Sequence, residues 1–176
     1  RGGVRFLALD TDKPTLAQAQ WADEVLRQAR RGHDPWIVVF GHHPRKSNGA
    51  HRGATEAFAN FFDRVLCHRA DLYLAGHDHD KQLLKPHCGV HLVVAGTGGQ
   101  LRPVDTEANT VFAKSSLGFA SFVAARDTMK VQFIDPDGKQ EFERTLTRHR
   151  PIPVCNKDMI CNGMCSKDPD CTKGKC

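Results

Sequence analysis

Two short apolar runs in this chain stop in the same way. Trp36-Ile-Val-Val-Phe40 is followed by Gly41-His42-His43-Pro44, and Leu72-Tyr-Leu-Ala75 by Gly76-His77-Asp78-His79-Asp80. Uninterrupted apolar runs of this length read as strands covered on both faces. The glycine after each permits a sharp turn that a Cβ would resist. In open α/β sheets, ligands bind where the carboxyl ends of the strands deliver their loops. Two strand ends that both present imidazole therefore constrain the chain to an α/β layer with a histidine site along one edge. Neutral imidazole is a frequent metal ligand. A His-x-His pair on extended backbone sends both rings to one side, because side chains alternate with period two. Taken alone, each stretch is equally a surface loop that carries histidine.

The flanking pattern supports the α/β reading. Val4 to Leu9 suggests a strand, and Asp10 to Pro14 a turn. Leu16, Ala19, Ala22, Val25, Leu26 and Ala29 then recur at helical spacing, with Gly32 as the stop. A second helix is expected over Ala54 to Arg69, with Phe58, Phe61, Phe62, Val65 and Leu66 on its apolar side. Cys67, alone on that helix, reads as a buried small hydrophobe. Beyond His79 the pattern turns to β: a short Gln82 to Lys85, a strong Val90 to Ala95, then Leu117 to Ala125, Met129 to Ile134 and Gln140 to Leu146. Asp135-Pro-Asp-Gly138 is a hairpin-turn signal. The polar stretch Glu107 to Ser116 reads as a mobile rim.

With these motifs in hand, the chain resembles the calcineurin-like metallophosphoesterases. Gly41-His42-x-Pro44 followed by Gly76-His77-x-His79 looks like the second half of that family, most similar to the tartrate-resistant (purple) acid phosphatase type. The likeness runs from about Phe6 to Leu146. It includes Leu9-Asp10-Thr11 ahead of a helix with Gln20-Trp21, and the Gly89-Val90 to Gly98-Gly99 segment. It implies the C-terminal half of a metallophosphoesterase β-sandwich flanked by helices. It also implies phosphomonoester hydrolysis by a two-metal centre of Fe, Zn or Mn. By the resemblance, His42 and His77 bind one ion, His79 binds the other, and His51 lies near the substrate phosphate as a cation or proton donor. Asn48 is a further candidate on the substrate side. His43 supports or packs, and Asp78 and Asp80 orient the imidazoles through their free N–H groups. The aspartate and Gly-Asn-His motifs of the family's first half do not occur here, so the resemblance implies a missing N-terminal half in cis or in trans. The alternative is a non-catalytic remnant or binding module with an incomplete metal site. The chain opens Arg1-Gly-Gly-Val with no initiator methionine, so a fragment, a processed product or a truncated gene is expected.

Composition bounds these readings. A chain of 176 residues with 26% charged and 40% hydrophobic residues is ordinary for one globular domain. The formal net charge of +5 favours anionic substrates, such as a phosphate ester, by steering. It is spread along the chain, apart from Arg144 to Arg150, so no nucleic-acid footprint is read. No apolar run approaches the ~20 residues of a membrane span. Pro151-Ile-Pro153 marks a boundary between a partial phosphoesterase domain, 1–150, and a Cys-rich tail, 151–176. Five of the seven cysteines fall in that tail: Cys155, Cys161, Cys165, Cys171 and Cys176. Such density reads as a disulfide staple in a secreted or periplasmic setting. Asn156, Asp158, Asn162, Asp168 and Asp170 offer oxygen ligands for a possible Ca²⁺ there.

Overall fold

The computed structural model describes residues 3–31 and 36–148. The tail, its cysteines, its Ca²⁺ candidates and Gly32 lie outside the described residues. Two sheets face one another. The larger has six strands in the order β1-β2-β3-β5-β4-β6: β1 (Val4–Ala8), β2 (Trp36–Gly41), β3 (Leu72–Ala75), β4 (Lys81–His87), β5 (Val90–Ala95) and β6 (Thr110–Lys114). Strands β1, β2, β3 and β5 run parallel, β4 is antiparallel to β5, and β6 is antiparallel to β4. The smaller sheet is the antiparallel meander β7 (Phe119–Ala124), β8 (Thr128–Ile134) and β9 (Gln140–Thr147). At the β8–β9 turn, Gly138 takes a φ of 82° and donates to the Asp135 carbonyl, while the Asp135 carboxylate accepts from Asp137 and Lys139.

Period-two alternation in β2 explains the two cores. Ile37 and Val39 point to the helices α1 (Leu16–Arg31) and α2 (Glu56–Val65), where Ala22, Leu26, Ala29, Phe58, Phe62 and Val65 meet Tyr73 and Leu92. Trp36 and Val38 point the other way. They join Leu72, Leu83 and Val93 against Met129, Val131, Phe133 and Leu146 of the second sheet. Helix α2 begins where the Thr55 side chain accepts from the Phe58 N–H, satisfying one donor that the first turn leaves unpaired. Leu16 of the helical stripe is exposed and lies outside the core.

Two expectations change. Glu107 to Ser116 is not a rim throughout: Thr110–Lys114 pairs with β4, because Phe112 stacks on Phe133 and Phe142 with ring centroids 4.9 and 4.6 Å away. Cys67 is not an isolated small hydrophobe. It lies just past α2 and forms a disulfide with Cys88, in the turn between β4 and β5.

Candidate metal centre

Because β2 and β3 are parallel neighbours, with Gly41 opposite Ala75, their following loops leave the sheet side by side. The Gly76 N–H donates to the His42 carbonyl at 3.1 Å, which ties one loop to the other. His42, His43 and His77 then converge, with one ring nitrogen from each inside 4.8 Å of the others. His77 Nδ1 and His42 Nε2 are 3.1 Å apart. The His51 ring lies 4.3 Å, centroid to centroid, from that of His77. The loops thus gather four imidazoles at the carboxyl ends of two strands.

His43 does more than the sequence suggests. Its N–H donates to Thr11 Oγ1, its Nδ1 lies 3.0 Å from the same hydroxyl, and its carbonyl accepts from Tyr73 Oη at 2.7 Å. Burial pushes the Tyr73 hydroxyl well above its ordinary pKa, so it stays a donor. Gly41 is required at this clamp, since a Cβ would overlap the Thr11 methyl and press on Tyr73 Oη. The sequence signal for His43 was its position directly after His42, and for Thr11 there was none beyond the resemblance.

His79 does not join the group of three. His77 has a φ of 64°, so the extended path needed to send both rings to one side is broken at that residue. The His79 Nδ1 atom is buried without a hydrogen-bond partner.

The two aspartates face the 47–51 loop. Asp78 is fully buried and accepts from Ser47 Oγ and from the His51 N–H, the latter at 2.9 Å. Asp80 Oδ1 accepts from Gln82 Nε2, and Oδ2 is buried without a partner. Burial drives the Asp80 carboxyl up, Gln82 opposes this, and nearby Asp78 adds to it, for a value of about 6. Their hydrogen bonds therefore run to the loop and to Gln82, in place of the expected imidazole N–H groups. Asn48 is likewise committed: its amide donates to Asn109 and Thr110, and its N–H to Gln82.

Burial, followed by the neighbouring histidines His43, His51 and His42, lowers the His77 pKa. A neutral ring keeps a lone pair for a cation. The orphaned Nδ1 of His79 adds a second such atom. An all-imidazole set suits Zn or Fe, and Mn where carboxylates join. Among the described residues, no carboxylate belongs to the three-histidine group.

The family model for calcineurin-like phosphoesterases matches residues 2–81. Tartrate-resistant acid phosphatase type 5 of Homo sapiens is 30% identical over 159 residues, covering 81% of this chain and 48% of its own length. Over residues 2–81 the chain is similar to the calcineurin-like phosphoesterases. The Sus scrofa enzyme of the same name is 27% identical over 156 residues, covering 81% of this chain and 46% of itself. These phosphoesterase relatives are acid phosphatases, hence hydrolases. In fold, the chain matches a purple acid phosphatase from yellow lupin (Lupinus luteus) seeds, with TM-score 0.75, 19% identity, and coverage of 89% of this chain and 33% of that one. A second match in fold is GAP50 of Plasmodium, described as the anchor in the inner membrane complex, with TM-score 0.63, 17% identity, and coverage of 83% of this chain and 50% of that one. The chain spans about half the length of the curated relatives it matches.

Proposed function

We propose that this chain supplies the histidine side of an acid-phosphatase-like phosphomonoesterase with a two-metal centre. The observation that carries the reading is the convergence of His42 and His77 from adjacent parallel strand ends. His42 and His77 would hold one ion, with His43 beside them, and His79 the other, through its unpartnered nitrogen. When bound, the ions supply Lewis acidity toward phosphoryl oxygens and an acidified water. His51, exposed beside His77, holds a phosphate oxygen or passes a proton to the leaving alkoxide. The Asp78 carboxylate fixes the His51 backbone at that distance. The net charge of +5 draws the anionic ester toward the site.

The carboxylate ligands of such a centre come from a complementing N-terminal half, in cis or in trans. The open edge of the sandwich supports this. Phe6 of the edge strand β1 shares the inner face with Val38 and Leu72 through its register. Those two are buried, yet Phe6 is 57% exposed and Phe40, on the same face, 41%. An apolar inner face left open at a sheet edge suits further strands laid beside it. The Cys67–Cys88 disulfide fits a secreted or periplasmic setting. Among the described residues, no helix is long and apolar enough to cross a membrane.

The test is hydrolysis of p-nitrophenyl phosphate by the chain with Zn, Fe or Mn, alone and with the complementing half. Activity is expected only in the complemented sample, and His77→Ala returns it to background. A complemented His77→Ala protein as active as the parent refutes the reading. A second reading is a non-catalytic binding module. It is favoured by the absence of a carboxylate from the three-histidine group among the described residues, and by the anchor description of the Plasmodium neighbour. A complemented chain that binds phosphate but never hydrolyses the ester selects it.

A further inference from the structure

A second group of potential ligands lies away from the histidine loops. Asp63 sits in α2 and Cys67 follows four residues later, just past the helix. His87 ends β4, and Cys88 begins the turn into β5. One ligand atom from each of the four lies inside 4.8 Å of the others. We propose that, when the Cys67–Cys88 disulfide is reduced, Asp63, Cys67, His87 and Cys88 form a tetrahedral Zn²⁺ site.

The distances carry the proposal. With Zn–S near 2.3 Å and Zn–N and Zn–O near 2.0–2.2 Å, the edges of a zinc tetrahedron are about 3.3–3.8 Å long. His87 Nε2 lies 2.9 Å from Asp63 Oδ1, and Cys67 Sγ lies 3.8 Å from the same oxygen. Two edges are therefore close to size before any metal enters. The sulfur pair must open furthest, and reduction releases it to non-bonded distance, while the His87–Asp63 edge lengthens by a few tenths of an ångström. The His68 N–H donates to the Cys88 carbonyl at 2.9 Å, so the backbone keeps the helix end and the turn together when the disulfide is open.

The donor chemistry fits a borderline-soft divalent cation. Asp63 is held ionised: the Arg45 guanidinium bonds both its oxygens, at 2.9 and 2.7 Å. The Arg45 and His87 hydrogen bonds keep its carboxyl below the usual range, against some burial. An aspartate braced by arginine is an oriented ligand, the role that outer partners have at zinc sites. His87 stands over Phe62, with ring centroids 6.1 Å apart.

The exchange balances. A small-molecule dithiol reduces the protein disulfide, giving two protein thiols and the oxidised dithiol. Zinc then replaces one proton on each sulfur, and two protons leave. The imidazole proton moves to Nδ1, which frees Nε2. Disulfide and zinc are thus alternative cross-links for one contact, between the end of α2 and the β4–β5 turn. The proposal does not depend on phosphoester chemistry.

The test uses the full chain with Cys155, Cys161, Cys165, Cys171 and Cys176 replaced by serine, so that Cys67 and Cys88 are the remaining thiols. Co²⁺ is added with a phosphine reductant and, separately, to the oxidised protein. The reduced chain is expected to show sulfur-to-cobalt charge transfer at one equivalent, and Zn²⁺ to abolish it. The oxidised chain shows none. Cobalt at the His42 group gives no sulfur band, so the two sites are read apart. His87→Ala and Asp63→Asn are each expected to weaken the band's apparent affinity at least ~10-fold, since even outer partners of a metal site are worth about 10–100-fold. Re-formation of the disulfide in each variant on oxidation serves as the fold control. Absence of the sulfur band in the reduced chain overturns the proposal. So does an affinity unchanged in both variants, which leaves only two thiolates binding adventitiously.

Discussion

Replacing Glu141 by glutamine would unpin the two sheets. Glu141 on β9 meets Lys81 on β4, with side-chain exposures of 6% and 0%. Lys114 Nζ of β6 adds an ion pair at 2.9 Å, and Ser116 Oγ a hydrogen bond at 2.8 Å. Burial alone would raise the Glu141 carboxyl. Hydrogen bonds from Lys81, Lys114 and Ser116 outweigh it and bring the value from 4.5 to about 2. A depressed carboxyl stabilises the fold above its unfolded pKa and loses that contribution as pH falls through the folded one. Here the window is pH 4.5 down to about 2, and the free energy involved is on the order of 3 kcal/mol. Glu141→Gln keeps the shape but leaves the Lys81 ammonium with the Leu117 carbonyl, 2.9 Å away, and a neutral amide. Breaking a buried pair from one side costs about 3–5 kcal/mol. With a urea slope of about 2 kcal/mol/M, the lower figure moves the midpoint down by roughly 1.5 M at pH 7. Urea unfolding followed by circular dichroism at pH 7, 5, 4 and 3 measures it. The gap between parent and variant should narrow steadily below pH 4.5, because only the parent loses a charge. Equal midpoints at pH 7, or a gap that stays constant down to pH 3, would refute the reasoning.

Tyr73→Phe removes the donor to the His43 carbonyl at nearly constant volume. Urea unfolding should show a loss of about 1–3 kcal/mol, and calorimetric metal titration a weaker affinity at the histidine loops. Gly96→Ala would drive a Cβ into the Asp78 carbonyl oxygen. Overpacking of this kind costs about 1–3 kcal/mol, and the His77–His79 loop should respond in the same titration, whereas an unchanged affinity would uncouple Gly96 from the site. Cys67→Ser with Cys88→Ser opens a loop of sequence separation 21. Without added zinc it should lower stability by about 3 kcal/mol by chain entropy, read from the urea midpoint of the non-reduced proteins.

The parts of the fold that the sequence displayed are those decided locally. The all-apolar β2 and β3 carry their own signal, and so do the phenylalanine spacing of α2 and the Asp135–Gly138 turn. The missed parts depend on distant partners. Thr110–Lys114 is a short Val-Phe-Ala run inside a polar stretch, and its pairing with β4 and the stacking of Phe112 on Phe133 and Phe142 make it a strand. Lys81 reads as a surface charge until Glu141, sixty residues on, is seen opposite it. The Cys67–Cys88 pairing cannot be deduced from spacing. At the site, the strand-end histidines were legible as types in a pattern. The direction of each ring was not. It depends on the left-handed backbone at His77 and on the Thr11 and Tyr73 contacts that fix His43.

The aspartates beside the histidines tie them to a neighbouring loop and to Gln82. Asp78 follows His77 in the chain, and its carboxylate holds the His51 N–H and the Ser47 hydroxyl. A displacement of His77 therefore drags the 47–51 loop with it, and the spacing between the His77 and His51 rings is kept by one residue. Gln82 extends the tie: it donates to Ser47 and Asp80 and accepts from Asn48. The buried polar layer beneath the imidazoles thus acts as a common mount, and it accounts for the burial of Ser47, Asn48, Asp78, Asp80 and Gln82 together. Such networks rigidify a site when their members are satisfied. The one unpaired oxygen, Asp80 Oδ2, belongs to the carboxyl pushed up to about 6. Protonation there relieves the layer of a second buried charge beside Asp78, so this carboxyl favours the fold at low pH and loses that contribution as pH rises through about 6. The histidine loops are held from below by this layer and from the side by Thr11 and Tyr73.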